Sequence, residues 1–199
     1  MKTLFINEKN IVYDHSSASF IKSAVAKLEK LSVRNSFLIK LYSAQYESVL
    51  NREIKLAEMT AKDVILNVGC GAIPFTAIHC ALKTGAKIIA IDKDPEVIDK
   101  ANRTVSDLHL DGLIKIIHSD GKNISYFDYN KVIVALQVTP KQEVFDNLIT
   151  IALMNTKFLF RQPRKIFRRH YDLLAEDKSI GFVRHNMPTF SKTLLFEKQ

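Results

Sequence analysis

The segment Gly69-Cys70-Gly71-Ala72-Ile73-Pro74-Phe75-Thr76 has residue types and spacing suited to holding a small ligand. Glycines at 69 and 71 let the backbone turn tightly and approach a ligand with no Cβ in the way. A helix starting after such a turn presents unpaired N–H groups to an anion. Asp92, 21 positions after Gly71, closes a second apolar run. An acid at that place can accept both hydroxyls of a ribose. Ser119-Asp120-Gly121 closes a third run, and Asp120 could accept from an adenine amino group. A dinucleotide turn has a third glycine, for close helix–strand contact beneath the pyrophosphate. Here that place holds Pro74, which has no N–H to donate but suits the first turn of a helix. The turn therefore fits a carboxylate and a nucleoside better than a pyrophosphate, with NAD as the alternative ligand.

These residues need elements that bring three chain segments to one edge. From residue 63 onward, short Ile- and Val-rich runs at 63–68, 87–91, 113–118, 131–136 and 157–160 lack polar alternation, as parallel strands buried on both faces do. Helical segments at 74–84, 95–108 and 141–154 separate them, and strand–helix alternation predicts a doubly wound parallel sheet. Runs at 180–184 and 192–197, with a bend at 186–188, predict an antiparallel pair closing that sheet. The fold class expected is α/β, a Rossmann-like sheet. Amphipathic periodicity at 19–31 and 37–59 predicts a helical N-terminal lid over 1–60, ahead of a ligand-binding domain over 61–199.

Composition narrows the classes. The 199 residues include 47% apolar and 25% charged side chains, six glycines and two cysteines, which excludes collagen-like, disulfide-rich and disordered chains. No apolar run approaches the ~20 residues of a membrane span. Asn7, Glu8, Lys9 and Asn10 interrupt any secretory core, and Cys70 and Cys80 lack disulfide or metal spacing, so a cytoplasmic protein is expected. His79 and His185 have no second ligand at metal spacing, so no metal is expected.

Gly-x-Gly, Asp and Asp at three consecutive strand ends resemble the S-adenosylmethionine (SAM) site of class I methyltransferases. That resemblance implies SAM as cofactor, with Gly69 and Gly71 at its methionine part, Asp92 at the ribose, and Asp120 and Gly121 beside the adenine. The turn Ala72-Ile73-Pro74-Phe75-Thr76-Ala77-Ile78 is similar to that of nicotianamine synthases and their archaeal and bacterial relatives. Further similarities are Tyr46, Glu53, Val134-Ala135-Leu136, Pro140-Lys141, Val144-Phe145, Asn147, Arg161, Tyr171, Gly181-Phe182 and Thr193-Leu194-Leu195-Phe196. Those enzymes transfer the aminobutyrate arm of SAM to an amine and leave methylthioadenosine. The resemblance implies a small amine or amino-acid acceptor and a carboxylate from the N-terminal helices, for which Glu47 and Glu53 are candidates. It also implies that Arg161 holds a substrate carboxylate.

The chemistry asks for an acceptor nucleophile held behind one carbon of a sulfonium, and for a group within reach of the amine proton. Tyr46 and Glu53, two helical turns apart on one face, are the candidate catalytic pair. Gln137, at the fourth strand end, is a candidate acceptor contact. Lys157, Arg161, Arg164, Lys165, Arg168, Arg169 and His170 carry much of the +8 net charge with no acid among them. A helix from Pro163 would array several of them on one side. This basic segment suits a substrate carboxylate or the phosphates of RNA. Methylation of a small molecule or of ribosomal RNA, and a non-catalytic SAM-binding module, are the alternative functions.

Overall fold

A computed structural model of the protein describes residues 36–125 and 128–199, with side chains described from residue 46 onward. The expected helix at 19–31 lies outside the described residues. Helix α1 (Ser36–Ala57) leads into β1 (Val64–Val68), α2 (Phe75–Thr84), β2 (Lys87–Asp92), α3 (Pro95–Asp107) and β3 (Ile114–His118). There follow β4 (Lys131–Val134), α4 (Lys141–Ile151), β5 (Lys157–Pro163), a 3-10 turn (Lys165–Phe167), β6 (Gly181–Arg184) and β7 (Phe190–Glu197). The strands form one sheet in the order β3-β2-β1-β4-β5-β7-β6. The first five are parallel, and β7 runs antiparallel to both β5 and β6. This is the doubly wound sheet with a closing antiparallel pair that the strand–helix alternation predicts, and the architecture that the resemblance to class I methyltransferases implies.

Strand side chains alternate between two apolar layers. Ile65, Ile88, Ile133 and Leu159 pack with α1, α2 and α3 on one face, joined by Leu50, Ile78 and Val105. Leu66, Val132, Phe158 and Phe160 pack with α4 on the other. Phe145 of α4 is the centre of that second layer, with ring centroids 5.4 Å from Phe160 and 5.0 Å from Phe196. Burial on both faces explains why the strands read as unbroken apolar runs.

The chain winds one way from β1 to β3 and the other way from β4 to β5. The connections leaving the carboxyl ends of the paired strands β1 and β4 therefore turn to opposite sides, and such a switch point leaves a crevice where ligands of open α/β sheets bind. Backbone bonds tie the edges of this crevice together. Gly69 N and Cys70 N both donate to Ile91 O, Ala135 N to Val68 O, and Ser119 N to Asp92 O.

Several boundaries differ from the sequence expectation. The helix expected from Pro163 does not form, because β5 continues three residues past Phe160. Its pairing with β7 extends to Pro163↔Phe190, across a register shift after Gln162. Arg164 then remains fastened to the hairpin, its N bonding Thr189 O and its Nε bonding Met187 O at 2.6 Å. Arg161 is therefore a strand residue, and only three residues after Arg164 turn helically. Strand β4 stops at Val134, where a turn from Ala135 O to Val138 N begins. Helix α4 stops at Ile151, because Ala152 is extended. Pro74 occupies the cap position before α2, not its first turn.

Gly69 fixes the chain direction at the crevice. Its φ of +79° is left-handed, and a Cβ there would lie 2.7 Å from Val138 Cγ2 and 3.2 Å from Ala135 Cβ. Gly69→Ala is expected to destabilise the protein by at least about 1–2 kcal/mol from the backbone conformation alone, measured by urea unfolding.

Candidate active site at the turn after strand one

A cavity of about 340 Å³ opens at the switch point, within the size range of small-molecule sites. Gly69, Cys70 and Gly71 form one wall, and Asp92 and Lys93 come from the end of β2. Ser119, Asp120 and Gly121 come from the end of β3, and Ala135 to Thr139 from the end of β4. Tyr46, Thr76, Arg161, Thr189 and Phe190 complete the lining. Of the sequence-derived candidates, Tyr46, Gly69, Gly71, Asp92, Asp120, Gly121, Gln137 and Arg161 share this cavity. Pro74 is buried behind the turn, and Glu53 stands behind Arg161.

The glycines leave room for a ligand in different ways. Gly71, at φ +66°, would point a Cβ at open space, so its backbone borders the cavity directly. Gly121 has no such space: a Cβ would lie 2.8 Å from Val68 Cγ1 and 3.3 Å from Val144 Cγ1. Any side chain at 121 would push the β3 end away from β1 and α4. Asp92 holds the turn through Oδ2, which accepts from Gly71 N at 2.8 Å, while Oδ1 accepts from Asp94 N at 3.1 Å. Asp120 Oδ1 accepts from Lys122 N at 3.1 Å. Two carboxylates and an open glycine backbone along one wall suit the hydroxyls and amino group of an adenosine, the group SAM would place here.

Tyr46 and Glu53 do lie on one face of α1, and they meet the same arginine. Arg161 is 2% exposed and Glu53 is fully buried. Arg161 Nε and Nη2 donate to Glu53 Oε1 and Oε2 at 2.9 and 2.8 Å, a two-pronged pairing that matches guanidinium to carboxylate. Arg161 Nη1 donates to the Tyr46 hydroxyl and, at 3.1 Å, to Thr76 Oγ1. Tyr46 Oη and Thr76 Oγ1 share a further hydrogen bond at 2.7 Å. Thr193 Oγ1 donates to Glu53 Oε1 at 2.7 Å and therefore accepts from His185 Nε2 at 2.9 Å. Burial alone would raise the Glu53 carboxyl pKa, but the charge and hydrogen bonds of Arg161 outweigh it and hold it below the usual range. Burial pushes His185 down to about 4, although Glu53 pulls the other way, so its imidazole is neutral at physiological pH.

This arrangement redistributes the expected roles. Glu53 is taken up entirely by Arg161 and Thr193 and does not reach the cavity, so it acts on the site only through its partners. Arg161, expected to face a substrate carboxylate, spends its donors on Glu53, Tyr46 and Thr76. Glu47 turns away and pairs with Lys83 at 2.7 Å on the surface. Lys157 sits at the far end of β5 and pairs with Glu58 at 2.5 Å, so the basic segment does not gather at one place. Lys93, Val138, Thr189 and Phe190 are lining residues that sequence reasoning missed. An arginine inside the run Phe158-Leu159-Phe160-Arg161 was the available signal, because a buried guanidinium must find a carboxylate. Among the described residues, no cluster of His, Cys, Asp or Glu could hold a metal ion, and no helix is long and apolar enough to cross a membrane.

The family model for protein-L-isoaspartate(D-aspartate) O-methyltransferase (PCMT) matches residues 21–149. The chain belongs to this family, within the class I SAM-dependent methyltransferase superfamily. Among curated relatives of this superfamily member is L-histidine 2-aminobutanoyltransferase of Yersinia pestis. It is 31% identical over 120 residues, covering 60% of this chain and 45% of the relative. A probable ribosomal RNA small subunit methyltransferase A of Thermococcus onnurineus is 24% identical over 87 residues, covering 44% of this chain and 30% of the relative. The chain thus spans less than half the length of both. Among solved structures, a nicotianamine synthase mutant in complex with S-adenosylmethionine superposes with a TM-score of 0.68 at 19% identity. The match covers 96% of this chain and 80% of that one. An RNA methyltransferase from Salinibacter ruber gives 0.59 at 18% identity, covering 76% and 90%. Such structural likeness establishes the fold, and its nicotianamine synthase member agrees with the resemblance seen in the turn.

The ion pair gives a direct test. Glu53→Gln leaves a buried guanidinium without its counter-charge and is expected to cost about 3–5 kcal/mol in urea unfolding. Replacing both partners with apolar residues, Glu53→Leu with Arg161→Met, is expected to cost less than the single change, since neither charge is then left buried alone.

Proposed function

We propose that the protein is a SAM-dependent transferase that moves the aminobutyrate arm of SAM onto the amino group of an amino acid. The observation that carries this reading is the Tyr46 hydroxyl, fixed by Arg161 and Thr76, in the same cavity as Gly69, Gly71, Asp92 and Asp120. The similarity to L-histidine 2-aminobutanoyltransferase supports it and makes histidine the first acceptor to try. When bound, SAM would supply a sulfonium-activated carbon and a neutral thioether leaving group.

The chain's own residues would do the rest by placement. Asp92 takes the ribose hydroxyls, Asp120 the adenine amino group, and the open backbone at Gly71 the polar end of the arm. Tyr46 Oη, which cannot swing because Arg161 and Thr76 hold it, offers the acceptor nitrogen a hydrogen-bond partner at a fixed point. Arg161 orients Tyr46, and Glu53 orients Arg161. Gln137, exposed at the β4 end, borders the acceptor on its solvent side. Helix α1, within the stretch 1–60 read as a lid, carries Tyr46 to the site. Methyl transfer to ribosomal RNA is the second reading, favoured by Arg164, Lys165, Arg168 and Arg169 in the segment that follows β5 and by similarity to a probable ribosomal RNA methyltransferase.

Incubation with SAM, an amino-acid panel and ribosomal subunits separates these readings by the nucleoside left over. Methylthioadenosine is expected, whereas S-adenosylhomocysteine would replace the proposal with methylation. Bound but unconsumed SAM would leave a binding module. Tyr46→Phe is expected to lower turnover about 100-fold or more while SAM binding by calorimetry is retained. Asp92→Ala, which removes a charged hydrogen-bond acceptor, is expected to weaken SAM binding about tenfold or more.

A further inference from the structure

Lys141 is the first residue of α4 and is completely buried, which is an unfavourable place for a cation on two counts. The amino end of a helix repels positive charge, and burial strips the ammonium of water. Its surroundings supply compensation. Nζ donates to Leu136 O at 3.2 Å, Arg161 O at 3.1 Å and Asp172 O at 3.0 Å. Three donors thus meet three carbonyls from three separate segments: the exit of β4, the body of β5, and the stretch after the 3-10 turn. Asp172 reinforces the junction, because its Oδ2 accepts from Thr139 Oγ1 at 2.6 Å and from Lys141 N at 3.1 Å.

Both ends of the β4 wall are therefore pinned. Leu136 is held by Lys141 and Thr139 by Asp172, and the residues between them, Gln137 and Val138, line the cavity. Val138 lies close against Gly69, so a shift of this wall moves the strand-one turn. The same ammonium holds the backbone of Arg161, whose side chain fixes Tyr46.

We propose that Lys141 is a positioning residue whose protonated amine draws three carbonyls together and so holds the β4 wall in its ligand-binding position. A neutral amine has two hydrogens for three carbonyls, and one carbonyl would then face a lone pair. Burial lowers the Lys141 pKa to about 8, with the Asp172 charge opposing that shift. Asp172 is the charged group acting on the ammonium from the segment after β5. The β4 exit and β5 present carbonyls, with the Arg161 guanidinium engaged by Glu53 on the other side of the sheet. The wall should loosen as pH rises through about 8. The proposal rests on the SAM reading of the cavity.

Methylthioadenosine is the probe, since it carries neither the amine nor the carboxylate of SAM and so does not titrate in this range. Its affinity is expected to fall as pH rises from 7 to 9.5, with a midpoint near 8, while the melting temperature stays above the assay temperature. Lys141→Met is expected to bind about tenfold more weakly at pH 7 and to show a flat profile, as loss of a charged donor predicts. A folded Lys141→Met with unchanged affinity overturns the proposal. If that variant does not fold, a flat profile in the wild-type protein overturns it instead. Absence of binding by either SAM or methylthioadenosine at pH 7 defeats the SAM reading, and this proposal with it.

Discussion

The pairing of Glu53 with Arg161 is the interaction on which the rest of the site depends. It joins a helix that precedes the sheet to a strand near its other end, across 108 positions of chain. Each charge would be costly to bury alone, and together they still need further partners to offset the lost water. Thr193 and His185 supply them on the carboxylate side, Tyr46 and Thr76 on the guanidinium side. The result is a polar layer inside the α1 face of the sheet, sealed by Val49, Leu50 and Ile65. Because arginine and carboxylate match in one geometry, the layer fixes the rotation of α1 about its axis as well as its position. That rotation is what sends Tyr46 into the cavity.

The sheet supplies the second constraint. The connections that leave the carboxyl ends of β1 and β4 must turn in opposite directions, so the crevice follows from topology before any side chain is considered. The chain then uses glycine where backbone must lie close to something else: Val138 against Gly69, ligand space at Gly71, and Val68 with Val144 against Gly121. Lys141 and Asp172 close the opposite wall. Two rigid walls, one built by the absence of side chains and one by a buried cation, meet beneath a tyrosine delivered from outside the sheet.

The parts of this site that were legible in the sequence are those encoded locally. Gly69, Gly71, Asp92 and Asp120 each follow an apolar run, and the end of a parallel strand is a place that periodicity can find. Tyr46 and Glu53 were legible as sharing a helix face. Their different fates were not, because these depend on Arg161 and Thr193, which no local pattern connects to α1. Thr189 and Phe190 arrive through an antiparallel hairpin whose register with β5 is set by packing. The basic run after residue 160 misled for a related reason. The run suggested a helix from Pro163, whereas pairing with β7 holds Pro163 in the buried strand and only three residues after Arg164 turn helically.

Cys70 stands in the cavity wall between the two turn glycines. Burial, aided by the nearby Asp92 carboxylate, pushes its thiol up to about 12. At physiological pH that sulfur is held in its protonated form, and thiols react with electrophiles almost entirely through the thiolate. A chamber that took in a sulfonium would be exposed to alkylation by its own ligand. With the Cys70 sulfur kept unreactive beside an acid, the wall itself would not become the acceptor of such a group.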